Sequence, residues 1–415
     1  MRVAILLFLT LVTASASDPR PNVILILADD LGWGDLSSWG SPEIHTPVLD
    51  DLTRRASRFT QFYTVSPVCS PSRASLLTGL LPPRTGVLRV LRPGAETGLL
   101  QEHLTLGEAL RAQGYATAAI GKWHLGDAPS FLPTRHGFDE FFGIPYSNDM
   151  VPLRLFRNGE IIDPNPTQPF LAREFTDEAI GFLDRNADRP FFLFLALKTP
   201  HVPLALPDAW RRPQRSAYID SVEYMDWNVG RILKRLEDLN LVGQTIVIFT
   251  SDNGSWRRGS NGLLRAGKKS VYEGGVRIPL IVSYPDRIAS NQLIVSPAMI
   301  CDLFPTILLL AGASEPEGLD GRHLLDALGV AGSHRSRGRR PEEPIFFFLK
   351  RRVAAVRAGR WKLHIEPAGP IPDTPDQLFD LVSDPGESRN LIAENPQVAA
   401  RLRRLVGEYE AGGAR

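Results

Sequence analysis

Cysteine is almost absent from this 415-residue chain, which has only Cys69 and Cys301. A framework of several disulfides is excluded, and one Cys69–Cys301 bridge is all the count allows. A surplus of one charge sign is also missing. The 47 Lys and Arg residues stand against 46 Asp and Glu residues, for a net charge of +1. That balance leaves no electrostatic footprint for nucleic acid or an acidic partner. Beyond the N-terminus no apolar run approaches the ~20 residues needed to cross a bilayer. Internal repeats and low-complexity tracts are lacking. Gly32-Trp33-Gly34 has no third glycine at dinucleotide-loop spacing, and Gly-x-x-x-x-Gly-Lys does not occur. Only Asn253-Gly254-Ser255 fits an N-glycosylation sequon.

The N-terminus does carry an address. Arg2, the apolar run Ala4 to Val12 and the small-x-small triplet Ala14-Ser15-Ala16 read as a secretory signal over residues 1–16. The absence of a nearby cysteine argues against a lipid anchor. A mature chain starting near Ser17, outside the cytoplasm, is expected.

Val23 to Ala28 is a continuous apolar run, as suits a strand buried on both faces. Ala116 to His124, Phe191 to Leu197, Thr245 to Thr250 and Pro279 to Ser283 are further strand candidates. Phe175, Ala179, Phe182 and Leu183 mark one helix face between them. Val222, Met225, Val229, Ile232 and Leu236 mark another. The alternation predicts an α/β fold with a large, mostly parallel central sheet flanked by helices. After residue 335 the pattern changes. His334 to Pro344 is an Arg-rich linker, read as a solvated loop. Ile345 to Leu349, Val353 to Arg357, Trp361 to Ile365 and Gln377 to Val382 are short strand-like runs, and Pro396 to Tyr409 is helical. This predicts a small C-terminal antiparallel sheet with one helix, dividing the chain into 17–335 and 336–415.

Function in open α/β sheets collects at the C-terminal strand ends. Asp29-Asp30 follows the first strand and Asp252-Asn253 follows the fourth. Each alone is more often a turn or a helix cap than a ligand pair. Together they form an all-oxygen set suited to Ca²⁺ or Mg²⁺. In Cys69-Ser70-Pro71-Ser72-Arg73, Pro71 suits a first helical turn, so a helix over Ser72 to Thr78 stopped by Gly79 is expected. Cys69 would sit just before it, where the helix dipole favours a thiolate, and Arg73 would return to the same face. The alternative is a buried, inert cysteine. If Lys122 and His124 lie on a strand, they share one face while Trp123 takes the other. His201, between Pro200 and Pro203, is held in a loop. His45, His103, His136, His323, His334 and His364 read as structural or surface residues. Cys301 reads as a core thiol.

Cys-x-Pro-x-Arg followed by Ala74-Ser75-Leu76-Leu77-Thr78-Gly79 resembles the signature of the type I sulfatases, in the alkaline phosphatase superfamily. Ala28-Asp29-Asp30-Leu31-Gly32, Gly121-Lys122-Trp123-His124-Leu125-Gly126, Thr199-Pro200-His201, Gly267-Lys268 and Ser251-Asp252-Asn253-Gly254 also match it, dense from Pro21 to Tyr284. Ser147-Asn148-Asp149 resembles a substrate-side loop of the arylsulfatase branch. The resemblance implies hydrolysis of an aryl or carbohydrate sulfate ester. It implies a maturation enzyme that oxidises Cys69 to formylglycine, whose hydrate is the nucleophile. It implies one metal ion, Ca²⁺ or Mg²⁺, on Asp29, Asp30, Asp252, Asn253 and modified Cys69. Arg73, Lys122 and Lys268 would neutralise charge, His124 would be the base that expels sulfate, and His201 would assist the leaving oxygen. Lys269 departs from the small residue often found after that lysine. Lysosomal members rely on glycans, so a bacterial periplasmic or secreted enzyme is favoured. A phosphate or phosphonate monoester hydrolase, or an anion-binding protein with unmodified Cys69, are the alternatives.

Overall fold

The computed structural model describes residues 20–331, 337–365 and 376–412. The signal segment 1–16 and His334 lie outside the described residues. Eleven strands form the large sheet: β1 (Asn22–Asp29), β2 (Ser57–Tyr63), β3 (Ala116–Lys122), β4 (Glu140–Ile144), β5 (Leu155–Arg157), β6 (Glu160–Asp163), β7 (Phe191–Pro200), β8 (Thr245–Ser251), β9 (Arg277–Ser283), β10 (Gln292–Ile294) and β11 (Ala298–Met299). Their order is β10-β2-β9-β8-β1-β7-β3-β4-β5-β6, with β11 beside β2. The centre β8-β1-β7-β3-β4 is parallel throughout. The run at Pro279 to Ser283 is β9, which pairs antiparallel with both β8 and β2.

β1 is buried along its whole length. Its side chains alternate between two cores: Val23, Leu25 and Leu27 enter one, and Ile24, Ile26 and Ala28 the other. Phe175, Phe182, Met225, Val229 and Ile232, on the helices Leu171–Arg185 and Ala217–Asp238, close the second core. The first core takes the helix Cys69–Thr78, all ten of whose residues are buried. A second sheet, β12 (Ile345–Leu349), β13 (Arg352–Ala358), β14 (Trp361–His364) and β15 (Gln377–Asp380), is antiparallel. With the closing helix Pro396–Gly412 it adds Phe347, Val356 and Leu402 to the same first core. The Arg-rich linker is not wholly solvated, because Arg339 pairs with buried Asp302. The two cysteines are free and both buried, so they do not form a bridge.

Register positions the site. Asp29 of β1 lies opposite Pro200 of β7, and Ala28 opposite Ser251 of β8. Asp29-Asp30, His201 and Asp252-Asn253 therefore leave the sheet at one edge, from three adjacent parallel strands. β3 ends beside them at Lys122.

Candidate active site

The helix expected from Ser72 instead begins at Cys69. A fully buried ten-residue helix has no amphipathic face to mark its first turn, so Pro71 alone misplaces the start. Gly79 ends it in the left-handed region, at φ 70°. Arg73, one turn on from Cys69, sends Nε and Nη2 to Asp252 Oδ2 at 3.0 and 2.9 Å, and Nη1 to the Lys122 carbonyl at 2.5 Å. Asp252 and Asp29 raise the Arg73 pKa despite its burial.

Cys69 is ringed by charge. Lys268 Nζ lies 3.3 Å from its Sγ and Lys122 Nζ 3.7 Å, while the thiol donates towards Asp29 Oδ1 at 3.6 Å. The easily ionised thiol expected from the helix terminus is not found. Burial, then the charge of Asp252, push it up to about 12 against the two lysines. As a bare thiol, residue 69 is a poor nucleophile here.

Lys122 Nζ lies 2.6 Å from Asp29 Oδ2. Burial alone would raise the Asp29 pKa, but Lys122, His201 and Arg73 hold it well below the usual carboxylate range. Asp252 is raised, by burial and by the charge of Asp29. Lys268 reaches both oxygens of Asp30, at 2.6 and 2.8 Å. Asp30 sits at φ 64°, donates its backbone N–H to Asp252 Oδ1, and accepts from Asn253 Nδ2 at 2.7 Å. Asn253 Oδ1 is buried and has no partner. Ligand atoms of Asp29, Asp30, Cys69 and His201 all lie within 4.8 Å of one another. Buried carboxylates gathered beside an orphaned amide oxygen fit a hard divalent cation.

The strand expected through His124 stops at Lys122. His124 adopts φ 61°, so strand alternation does not place it. Gly121, at φ 107°, makes the turn possible: a Cβ there would lie 1.9 Å from the Ala196 carbonyl oxygen. Trp123 does turn away, donating from its indole to the Phe131 carbonyl. His124 Nε2 lies 3.0 Å from the Leu91 carbonyl. A carbonyl only accepts, so Nε2 carries the hydrogen and Nδ1, buried without a partner, holds the free lone pair. Burial, Lys122 and Arg73 hold the His124 pKa well below the ordinary imidazole value. His201 donates from Nδ1 to the Val202 carbonyl at 2.6 Å, leaving Nε2 3.6 Å from Asp30 Oδ2.

Cys69, Asp30, His124, His201 and Lys268 line one cavity of about 570 Å³. The arrangement can grip a tetrahedral anion with lysines and attack it from residue 69, with two imidazoles to manage protons.

Residues 21–313 match the family described as Sulfatase, and residues 264–410 match the one described as N-sulphoglucosamine sulphohydrolase, C-terminal. The chain belongs to the sulfatase family. It is a type I sulfatase of the alkaline phosphatase superfamily, a hydrolase of sulfate esters. Arylsulfatase A of Bos taurus is 37% identical, over 97% of this chain and 90% of its own. The N-acetylgalactosamine-6-sulfatase of Sus scrofa is 38% identical, over 83% of this chain and 71% of its own. A structure from a Bacteroides thetaiotaomicron locus for glycosaminoglycan metabolism superposes with a TM-score of 0.87 at 26% identity, covering 95% of this chain and all of that one. Ps i-CgsB bound to k-i-k-neocarrahexaose superposes with 0.84 at 29% identity, covering 94% and 92%.

Some residues of this sulfatase escape motif reading. Lys198 is buried in β7, and burial lowers its pKa to about 8 although the charge of Asp29 raises it. A lysine interrupting an apolar strand just before His201 was the available signal. Trp256, which no motif marks, lines the cavity, beside Ser147 and Asp149 of the loop read as substrate-side. Of the histidines read as structural, His136 packs on Trp123 and His364 Nε2 lies 2.7 Å from Glu387, and neither lines the cavity.

Proposed function

We propose that this chain hydrolyses a sulfate monoester of an aryl or carbohydrate alcohol, using formylglycine made from Cys69 and one divalent metal ion, Ca²⁺ or Mg²⁺. The observation that carries the proposal is the surroundings of Cys69. Two lysines within 3.7 Å and a buried carboxylate cluster are poor company for an inert core thiol. They suit an oxygen nucleophile facing a bound anion. Asp29, Asp30, Asp252 and Asn253 would hold the ion together with residue 69, and the ion would supply Lewis-acid polarisation of a sulfate oxygen.

The chain's own residues supply the rest. Lys122 and Lys268 offset the ester's charge, and Arg73 anchors Asp252 behind the site. His124, neutral and with Nδ1 free, accepts a proton within the cavity. His201, whose Nδ1–H is held by the Val202 carbonyl, presents Nε2 to the departing oxygen and, as the imidazolium, gives it the Nε2 proton. Relatives named N-acetylgalactosamine-6-sulfatase, and a neighbour in complex with k-i-k-neocarrahexaose, favour a sulfated sugar. Export follows from the signal reading of residues 1–16. The lone sequon supports the periplasm over the lysosome, since Asn253 is fully buried and out of reach of a glycan. The division at residue 335 is retained as 17–335 catalytic and 336–415 ancillary.

The test is mass spectrometry of the peptide holding Cys69, paired with turnover of 4-nitrophenyl sulfate before and after chelation. An aldehyde or its hydrate at residue 69, and turnover that chelation abolishes and Ca²⁺ or Mg²⁺ restores, are expected. A plain thiol in fully active protein would defeat the proposal.

A further inference from the structure

Lys269 stands where a small residue is easier to place. Its φ is 74°, in the left-handed region that glycine enters without strain. Its backbone N–H is fixed on the Pro67 carbonyl at 2.9 Å, two residues before Cys69. The side chain is exposed, and its ammonium lies 4.3 Å from the centre of the Trp256 ring, a cation–π contact. A second exposed cation, Arg92, lines the same cavity. Of the two carboxylates that line it, Asp30 is held by Lys268, which leaves Asp149 for these two cations. Lys268 is already engaged with Asp30 and residue 69, and it does not fill this outer role. The cavity is far larger than one sulfate group needs.

We propose that Lys269, seated on Trp256, and Arg92 form a second anion subsite at the cavity mouth, so that the preferred ester carries a further sulfate or carboxylate on its leaving group. The proposal rests on the sulfate-ester reading for the inner site. Neutral aryl or lipid alcohols leave the two mouth cations with only Asp149 to offset their charge. A doubly charged saccharide satisfies them. Exposed ion pairs are each worth little, so the subsite tunes preference rather than creating affinity, and salt screens it.

The experiment measures binding of benzenesulfonate and benzene-1,3-disulfonate to the full, metal-loaded protein by calorimetry. Turnover of 4-nitrophenyl sulfate is followed in the same samples. The disulfonate is expected to bind roughly fivefold more tightly at low salt, and the ratio should fall towards one at about 0.5 M salt. In Lys269→Gly the ratio should approach one while the thermal midpoint holds or rises, because glycine relieves the backbone. Arg92→Gln should lower the ratio partly. Equal binding by the wild type, a ratio unchanged in both variants, or no binding of either sulfonate would overturn the subsite. Turnover with equal binding would defeat the subsite and keep the sulfatase reading. Preferential binding without turnover in verified formylglycine protein would keep the subsite and defeat that reading.

Discussion

Lys268 holds its ammonium 2.6 Å from Asp30 Oδ1 and 3.3 Å from Cys69 Sγ. One cation thus joins the acidic corner at the end of β1 to the first residue of the buried helix. Its loop is braced: the Lys268 N–H donates to the Ser255 carbonyl at 3.0 Å, and Gly274 N–H to the Arg265 carbonyl at 2.8 Å. Replacing Lys268 by Met should lower kcat/KM for an aryl sulfate by about 100-fold or more, the usual loss for one preorganised charge donor. Steady-state kinetics decide it, and a loss of only about threefold would remove Lys268 from the anion grip.

Cys69→Ala should abolish turnover and leave folding intact. The side chain lost is small, and the groups around it retain other partners: Lys122 keeps Asp29 and Lys268 keeps Asp30. Circular dichroism with an aryl sulfate assay reads both. Residual turnover above background would exclude residue 69 as the nucleophile.

His201→Ala should damage poorly activated alcohol leaving groups more than good aryl ones, because only the former need a proton in the transition state. A series of aryl sulfates spanning leaving-group basicity would show a steeper dependence in the variant. Parallel lines for variant and wild type would argue against leaving-group assistance.

The pH profile follows from His124. A base must be neutral, and burial with Lys122 and Arg73 holds its folded pKa well below 6.5. Rate controlled by His124 is therefore full above that value and lost only as pH falls through the depressed pKa. The acid limb of kcat, which includes the sulfate-expulsion step, should lie below pH 6.5. A limb centred at or above it would mean that His124 is not the base.

The C-terminal sheet reaches the Lys268 loop through buried charge. Lys362 Nζ lies 2.9 Å from Glu273 and 3.2 Å from Glu387, and Glu387 accepts the Glu273 backbone N–H at 2.5 Å. Burial opposes ionisation of Glu273, but Lys362 and Arg277 lower its pKa from 4.5 to about 2. Its folded pKa lies below its unfolded one, so its contribution to stability is full above pH 4.5 and is lost as pH falls towards about 2. Glu273→Gln should flatten the fall in stability across that window, measured by denaturant melts at several pH values. Lys362→Met removes the ammonium shared by two buried carboxylates, leaving Glu273 to Arg277 and Glu387 to His364, and should destabilise the fold by about 3 kcal/mol. Unchanged melts in either variant would contradict the role of this cluster.

Much of the architecture is readable in the sequence because Val23 to Ala28, Phe191 to Leu197 and Ile246 to Phe249 are unbroken apolar runs between helices with clear apolar faces. The misreadings share a cause. The helix at Cys69 starts early because it is buried all round and carries no periodic signal. The strand at Ala116 ends early because Gly121 and His124 adopt left-handed backbone angles that a residue pattern does not announce. The Cys69 thiol resists ionisation, contrary to what its place at a helix terminus predicts, because burial and Asp252, distant in sequence, raise its pKa.

The residue string by itself carried the acids, the lysines, the cysteine–proline–arginine signature and their order along the chain, since these are matters of side-chain chemistry and local spacing. Tertiary structure alone decided that Asp30 and Lys268, 238 positions apart, would touch, that Lys198 would be buried near Asp29, and that Lys269 would lie on Trp256 at the cavity mouth. The physical reason is register. Parallel strands align their ends through hydrogen bonds between distant segments, and no local periodicity encodes which ends will meet.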